Sequence, residues 1–280
     1  MSDVKNEVAL VTGATSGIGW AIASSLRDAG YKVFGTGRAA QPRVPDGVRA
    51  VTLDLAEPER MAAAIAPILE NRGRIDVLVN NAGVMIHGAM EDAGEEAVRA
   101  LWQTNYFGAV CLNKLVLPVM RANLHGTILL VSSVGTLCTP PFLGHYCASK
   151  AALQAMGASL RHEVADFGIR VATIVPGDFR SQLHARAIRC AASEPYASLG
   201  RCFDEFVSRL QQSADDPADV GRKVVAICTR ARPSYVHNVG KWARRLPWLK
   251  AILPQSMFEQ SVRRLLAKAN GAESALPAPR

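Results

Sequence analysis

Two residues with acid–base chemistry stand four positions apart in this chain. They are Tyr146 and Lys150, in the run Tyr-Cys-Ala-Ser-Lys at the start of a helix-like segment. Residues at i and i+4 lie on one face of a helix. A phenol with a pKa of about 10 is a poor acid or base at neutral pH, but a nearby ammonium stabilises the phenolate and lowers that pKa. The pair therefore predicts a tyrosine general acid or base, although the spacing alone also fits a surface contact.

Polar residues that follow strand-like runs accompany this pair. Ser133 follows the apolar run Thr127–Val131, and Asn81 belongs to an Asn-Asn-Ala-Gly motif that follows a run ending at Val79. The carboxyl ends of parallel strands meet at one edge of a sheet, where ligands bind in open α/β folds. We therefore expect these residues to lie near Tyr146.

A glycine-rich turn joins the first strand-like run to the first helix-like segment, with the sequence Thr-Gly-Ala-Thr-Ser-Gly-Ile-Gly. Backbone N–H groups at a helix N-terminus suit a pyrophosphate, and glycine lets a phosphate approach the backbone. The spacing GxxxGxG alone also fits a tight turn, but its place between strand and helix predicts a dinucleotide site. The residues of this turn predicted to bind the cofactor are Thr12, Gly13, Ser16, Gly17, Ile18 and Gly19.

The ends of the next two strand-like runs indicate which dinucleotide binds. NAD sites usually place a carboxylate after the second strand for the ribose 2′-OH, whereas this chain has Gly37 followed by Arg38. Glycine carries no charge to repel a 2′-phosphate, and a guanidinium binds phosphate and stacks on adenine. We therefore predict NADP, the alternative being that Arg38 is a solvated loop residue. Asp54, followed by Leu55, is placed to accept a hydrogen bond from the adenine amino group or to cap a helix ahead of Pro58.

Short apolar runs alternate with longer amphipathic ones along the chain. Most strand-like runs are apolar throughout, as expected of strands buried on both faces. These runs are Glu7–Val11, Lys32–Thr36, Arg49–Leu53, Ile75–Val79, Thr127–Val131, Arg170–Val175 and Tyr235–His237. The helix-like segments are Ile18–Asp28, Pro58–Asn71, Glu95–Arg121, Tyr146–Phe167 and Ala218–Thr229. This order predicts an α/β fold: a doubly wound parallel sheet of the Rossmann type, with about seven strands and helices on both faces.

Two regions depart from this order. Residues 178–213 are long and loosely patterned, which predicts a lid over a bulky substrate. We expect one catalytic domain over residues 1–240, this lid included. Residues 241–280 form a basic extension, and its seven basic residues and one acid account for six of the eight net positive charges. The extension predicts an amphipathic helix that docks on its own domain, which we favour, or lies on a membrane surface.

Composition argues against several classes of protein. Hydrophobic residues make up 49% and charged residues 20% of the 280 residues, as in globular rather than disordered proteins. The sequence contains no long apolar span and no signal peptide pattern. The six cysteines have no CxxC or metal-ligand spacing, which predicts free thiols, no metal site and a cytoplasmic location. Because the basic residues are concentrated in the extension, we expect no nucleic-acid surface over the main body.

The glycine loop, the Asp-Leu pair, Asn-Asn-Ala-Gly, the Asn/Ser/Tyr/Lys set and a Pro-Gly motif together resemble the short-chain dehydrogenase/reductase family over about residues 5–240. The resemblance implies hydride transfer between a nicotinamide and a carbonyl or alcohol carbon. In that case Tyr146 is the acid in reduction and the base in oxidation, and Ser133 hydrogen-bonds the reacting oxygen. Lys150 would hold the nicotinamide ribose, and Asn105 would order a water that links this lysine to solvent.

The same resemblance assigns further positions to the cofactor. The Asn-Ala-Gly run would line the adenosine ribose, the backbone after the Pro-Gly motif would meet the nicotinamide amide, and Ser181 stands where the family often has a threonine near the pyrophosphate. The positions implied in this way are Asn81, Ala82, Gly83, Pro176, Gly177, Phe179 and Ser181. The helices that hold Asn105 and Tyr146 often form an interface in the family, so we expect a homodimer or homotetramer.

Apolar loops after the strands are candidates for the substrate pocket, and they lie at residues 85–87, at residues 139–145 and after Gly177. Within the family, Ser-Val-Gly and Tyr-Cys-Ala-Ser-Lys with a basic extension are similar to the branch that acts on steroids, retinoids and other lipophilic carbonyls. We therefore expect NADP-dependent chemistry on a small lipophilic carbonyl or alcohol. The alternatives are a 3-oxoacyl-type thioester reductase, a cofactor-sensing regulator and a membrane-surface lipid-binding protein that uses the extension.

Overall fold

The computed structural model describes residues 6–267, and these form a parallel sheet covered by helices. The strands are β1 (Val8–Val11), β2 (Lys32–Gly37), β3 (Arg49–Thr52), β4 (Val77–Asn80), β5 (Ile86–His87), β6 (Gly126–Val131), β7 (Ile169–Pro176), β8 (Ile188–Arg189) and β9 (Val236–Val239). Seven of them form one sheet in the order β3-β2-β1-β4-β6-β7-β9, with every pair parallel. The strand order reverses between β1 and β4, as in a doubly wound sheet, which confirms the predicted fold class.

Helices lie on both faces of this sheet. They are α1 (Gly17–Asp28), α2 (Pro58–Arg72), α3 (Glu95–Trp102), α4 (Gly108–Ala122), α5 (Gly135–Cys138), α6 (Gly144–Glu163), α7 (Ala197–Gln212), α8 (Ala218–Cys228), α9 (Lys241–Ile252) and α10 (Gln255–Ala267). A π-helical turn, Gln103–Phe107, joins α3 to α4, and 3₁₀ turns occupy Ala165–Phe167 and Glu194–Tyr196.

Successive residues of each strand enter two different hydrophobic cores, which explains why the strands are apolar throughout. Leu10 and Leu78 belong to the core that includes residues of α2 and α4. Val11 and Val79 belong to the core on the other face, with residues of α1 and α8. Each fully buried aliphatic side chain contributes about 1.5–3 kcal/mol. The two cores therefore hold the strands, and with them the loops that follow the strand ends, in fixed positions.

The helix predicted over Glu95–Arg121 is interrupted in the structure. Asn105 lies in the π-helical turn between α3 and α4. Its Oδ1 accepts a hydrogen bond from the Val84 N–H at 2.8 Å, and its Nδ2 donates to the Val84 carbonyl at 2.9 Å. Turns of this kind accommodate an extra residue in a helix and occur often at functional sites. The interruption was not visible in the periodicity because Val84 is distant in sequence.

Residues 178–213 contain regular structure that the sequence pattern did not predict. The Ile188 N–H donates to the Met85 carbonyl and the Cys190 N–H donates to the His87 carbonyl, both at 2.9 Å, which pairs β8 with β5. Helix α7 buries Phe203 against other apolar residues. This segment is therefore joined to the main sheet region by backbone pairing and by packing.

Helices α9 and α10 cover the described part of the predicted extension. Ala243 and Phe258 are buried, so both helices pack on the rest of the protein. The side chains from Arg263 onward, and residues 268–280 with Lys268, lie outside the described residues. Between residues 6 and 267, none of the helices has the length and apolar content that a bilayer crossing requires.

Candidate active site

The carboxyl ends of the sheet strands border a cleft of about 270 Å³. Apart from Thr12 and Asn105, all the residues predicted for catalysis or cofactor binding line this cleft. The predicted residues that line it are Gly13, Ser16, Gly17, Ile18, Gly19, Arg38, Asp54, Leu55, Asn81, Ala82, Gly83, Ser133, Tyr146, Lys150, Pro176, Gly177, Phe179 and Ser181. Residues from six loops and helices are therefore brought together at one edge of the sheet.

The glycine loop is packed so closely that side chains are excluded from it. A Cβ on Gly19 would lie 2.1 Å from the Gly13 carbonyl oxygen, and a Cβ on Gly13 would lie 2.9 Å from the Ala82 Cα. Gly17 has a φ of +53°, a left-handed conformation that favours glycine. The Ser16 side chain, at the N-cap of α1, forms no capping hydrogen bond. The loop thus presents backbone at a helix N-terminus, as a phosphate site requires.

Thr12 and Asn81 support this loop from behind. The Thr12 hydroxyl accepts hydrogen bonds from the N–H groups of Asn81 at 2.9 Å and of Ala82 at 3.0 Å. In return, the Asn81 Nδ2 donates to the Thr12 carbonyl at 2.8 Å. Both residues were predicted as cofactor contacts. These three hydrogen bonds connect the loop after β1 to the loop after β4, which is a positioning role.

Arg38 and Asp54 lie at the ends of β2 and β3 and border the same part of the cleft. The Arg38 side chain is exposed, so its guanidinium is accessible to a ligand. The Asp54 Oδ1 accepts a hydrogen bond from the Ala56 N–H at 2.9 Å. Asp54 therefore stabilises the turn before α2, as in the capping alternative, while still lining the cleft.

Tyr146, Ser133 and Lys150 form a hydrogen-bonded group at the cleft wall. The Ser133 hydroxyl donates to the Tyr146 hydroxyl, and the Ser133 Oγ accepts from the Gly135 N–H at 3.1 Å. The Lys150 Nζ donates to the Val131 carbonyl at 2.9 Å and lies 6.0 Å from the centre of the Tyr146 ring. Lys150 and Tyr146 are both buried, so each is held in one orientation.

Burial shifts the pKa values of both members of this pair. It lowers the pKa of Lys150 to about 8, because the ammonium loses water. It raises the pKa of Tyr146, and the hydrogen bond from Ser133 acts in the opposite direction. The sequence predicted that Lys150 would lower the pKa of the phenol. In the structure burial outweighs any such effect.

Asn105 lies behind the cleft. Besides its two bonds to Val84, its Nδ2 donates to the Ser149 Oγ at 3.0 Å. A Cβ on Gly83 would lie 3.2 Å from both the Asn105 Oδ1 and the Lys150 Nζ, so the amide and the ammonium are close neighbours. The water that the family resemblance assigns to Asn105 stays a prediction.

The structure adds two polar groups that the sequence reasoning did not select. Asp178, directly after the Pro-Gly motif, lines the cleft, and burial beside Asp215 raises its pKa to about 6. His184 also lines the cleft, and its Nδ1 lies 3.1 Å from the His87 Nε2. Burial and the neighbouring His184 lower the pKa of His87 to about 4. The place of Asp178 after a strand end could have indicated its position, but nothing local pairs residues 87 and 184.

Apolar residues of the three predicted pocket loops pack together beside Tyr146. Phe142 stacks on Phe203, with ring centres 5.4 Å apart, and makes an edge contact with Tyr196. Of the three arginines considered for the substrate, Arg186 lines the cleft. Arg180 and Arg189 form exposed ion pairs with Asp216 and Asp204 at 3.1 and 2.7 Å.

Comparison with known proteins gives consistent matches. A family model described as short chain dehydrogenase matches residues 7–189. A protein of Bacteroides thetaiotaomicron named 3-ketodihydrosphingosine reductase is 33% identical over 261 residues, which is 92% of this chain and 97% of that protein.

Solved structures give the same result. A short-chain dehydrogenase from Streptomyces avermitilis matches with a TM-score of 0.80 and 32% identity, over 94% of this chain and 99% of that one. A metagenomic short-chain oxidoreductase solved in complex with NADP matches with a TM-score of 0.66 and 27% identity, over 85% of this chain and 98% of that one.

Proposed function

The chain belongs to the short-chain dehydrogenase/reductase family, whose members are oxidoreductases that use nicotinamide cofactors. From that premise we propose that it is an NADP-dependent enzyme acting on the carbonyl, or the corresponding secondary alcohol, of a bulky apolar substrate. The observation that carries this proposal is the Tyr146 hydroxyl, held by Ser133 beside the buried Lys150 in a cleft with a glycine loop.

The residues at the cleft wall have separate roles in this proposal. Tyr146 donates a proton to the carbonyl oxygen in reduction and accepts it from the alcohol in oxidation. Ser133 hydrogen-bonds the same oxygen and places it beside the phenol. Lys150 binds the ribose hydroxyls and supplies positive charge, which offsets the unfavourable burial of a phenolate. Asn105 is a positioning residue for the segment Gly83–Val84 and for Ser149.

The residues present fit a dinucleotide. The close contacts at Gly13 and Gly19 leave exposed backbone where a Cβ would exclude a phosphate. When bound, NADPH supplies the hydride. Arg38 would bind its 2′-phosphate, because Gly37 offers no carboxylate there and the guanidinium is exposed.

The substrate class follows from the wall opposite the glycine loop. Phe142, Phe203 and Tyr196 provide apolar contact area beside Tyr146, and a ligand with a long or bulky apolar part would fill it. The name of the Bacteroides relative suggests a ketone on a long aliphatic chain. We propose a cytoplasmic location, since all six cysteines are free thiols.

The test is a screen that follows nicotinamide absorbance with NADPH or NADH. Its carbonyls are 3-ketodihydrosphingosine, a steroid ketone, retinal and a 3-oxoacyl thioester. We expect NADPH oxidation with an apolar ketone. Tyr146→Phe should lower kcat/KM by about 10²–10⁴-fold and leave NADPH affinity unchanged, whereas Tyr106→Phe, which removes a hydroxyl outside the cleft, should keep full activity. Activity in Tyr146→Phe, or no turnover of any carbonyl with either cofactor, would refute the proposal.

A further inference from the structure

Helix α9 presents large apolar side chains to solvent. Trp248 and Ile252 are 73% and 74% exposed, and Leu249 and Trp242 are about half exposed. Lys241, Arg245, Trp248 and Ile252 follow one another at helical spacing, so they share one face. We call the face that holds these four residues, with Trp242, Arg244 and Leu249 at its margins, the outer face of α9.

The opposite face fixes the orientation of the helix. Ala243 is fully buried, and the Lys250 Nζ donates to the Leu137 carbonyl of α5 at 3.3 Å. The following helix is anchored by Phe258, which is buried. The exposure of Trp248 and Ile252 is therefore a consequence of docking: α9 packs on its own protein through one face, and this directs the other face outward.

The charges on the outer face have one sign. Arg244 and Arg245 are exposed, and within residues 6–262 neither of them forms an ion pair. Lys241 lies 3.4 Å from Asp215. The acid in this part of the extension is Glu259, on the next helix. A surface that combines tryptophan, aliphatic side chains and unpaired arginine is complementary to an anionic, partly apolar surface.

We propose that the outer face of α9 binds the surface of an anionic lipid bilayer, with Trp248 and Ile252 at the level of the headgroups and acyl boundary and Arg244 and Arg245 against lipid phosphates. A second copy of the chain fits this face less well. A twofold contact would place arginines of one copy opposite arginines of the other, and like charges repel.

The place of this face in the fold connects it to the cleft. A Cβ on Gly177, which lines the cleft, would lie 3.5 Å from the Ala243 backbone nitrogen. Helix α10 contacts α7, whose residues Leu210 and Gln211 line the cleft. A bilayer bound at the outer face would therefore lie beside the elements that enclose the site, where a membrane-dissolved substrate could enter.

The experiment is sedimentation of the full chain with vesicles of phosphatidylcholine alone or mixed with phosphatidylglycerol. We expect binding to the mixed vesicles, a shift of tryptophan emission to shorter wavelength, and loss of binding in high salt. Arg245→Glu should weaken binding about tenfold. Trp248→Ser/Ile252→Ser should abolish the emission shift. The matched controls are Arg232→Glu and Leu124→Ser, which change exposed residues elsewhere and should bind as the unaltered protein does.

Turnover of a soluble ketone and the sedimentation mass at increasing dilution keep the result unambiguous. Unchanged turnover in Trp248→Ser/Ile252→Ser shows that the fold is intact, so lost vesicle binding then supports the proposal whatever the substrate is. Equal binding to neutral and anionic vesicles, no binding to either, or conversion of a dimer to a monomer by the double variant with vesicle binding retained would each overturn it.

Discussion

The glycine loop and the segment 178–213 lie on opposite sides of one cleft and are held in different ways. The loop is fixed by backbone contacts that leave no room for a Cβ, as at Gly19 and Gly13. The segment is joined to the body by the two-residue strand β8 and by Phe203, and its charged residues are exposed. Chemistry common to many substrates is thus placed on the rigid side, and contacts that select a substrate on a side whose side chains can change without disturbing the sheet.

The largest effect should come from filling the rigid side. In Gly19→Ala the new methyl would meet the Gly13 carbonyl oxygen at 2.1 Å, so the loop or α1 must move. We expect a loss of about 3 kcal/mol in the free energy of unfolding and a loss of NADPH affinity of about 100-fold or more. Denaturant titration and fluorescence titration measure the two quantities.

The control for this change is Gly94→Ala, because nothing lies within 4 Å of a Cβ there. It should alter stability by less than about 0.5 kcal/mol. An unaltered NADPH affinity in Gly19→Ala would mean that the loop is not the rigid side of the site.

Removal of the buried ammonium should change how stability depends on pH. Lys150 has a pKa of about 8 in the fold, against about 10.4 in an unfolded chain. Between these values the unfolded chain holds more protons, so this group makes the free energy of unfolding rise with pH. In Lys150→Met, which should also lose turnover, that rise of about 1–3 kcal/mol should be absent between pH of about 7 and 10.

Thermal unfolding at a series of pH values measures this difference. Lys114→Met, at an exposed position of α4, is the matched control and should follow the unaltered protein. If the Lys150→Met and unaltered curves ran parallel over this range, Lys150 would not be a buried cation in the fold.

A smaller effect is expected at the exposed rim of the rigid side. Arg38→Ala should weaken NADPH binding about tenfold, because a charge-assisted contact to the 2′-phosphate is lost, and should leave NADH binding nearly unchanged. Arg43→Ala is the control, since Arg43 stacks over Trp20 at 5.9 Å and does not line the cleft. Equal losses for both cofactors, measured by titration, would contradict the NADP assignment.

The smallest effect should come from the charges of the segment 178–213. Asp204→Asn removes the exposed ion pair with Arg189, at 2.7 Å, and should cost less than about 0.5 kcal/mol. Glu95→Gln, in the exposed pair with Arg99, should behave alike in thermal unfolding. A much larger loss at Asp204 would show that charge, rather than packing around Phe203, holds the segment.

Local patterns were sufficient for much of the fold and of the site. Continuous apolar runs predicted strands buried on both faces, and Leu10 and Val11 do enter different cores. Strand ends in a parallel sheet share one edge, so Ser133, Tyr146 and Lys150 could be placed in one site without knowledge of the packing. The exceptions are the π-helical turn at Asn105 and the pairing of β5 with β8, which depend on residues far apart in the chain.

By itself, the sequence determined the strand order class, the glycine loop and the identity of the acid–base pair, because periodicity, backbone freedom and i, i+4 spacing are properties of neighbouring residues. Only the tertiary structure decided that burial raises the pKa of Tyr146, that Asp178 and His184 join the cleft, and that α9 turns Trp248 outward. Those features depend on which distant residues displace water from a group, and no local pattern records that.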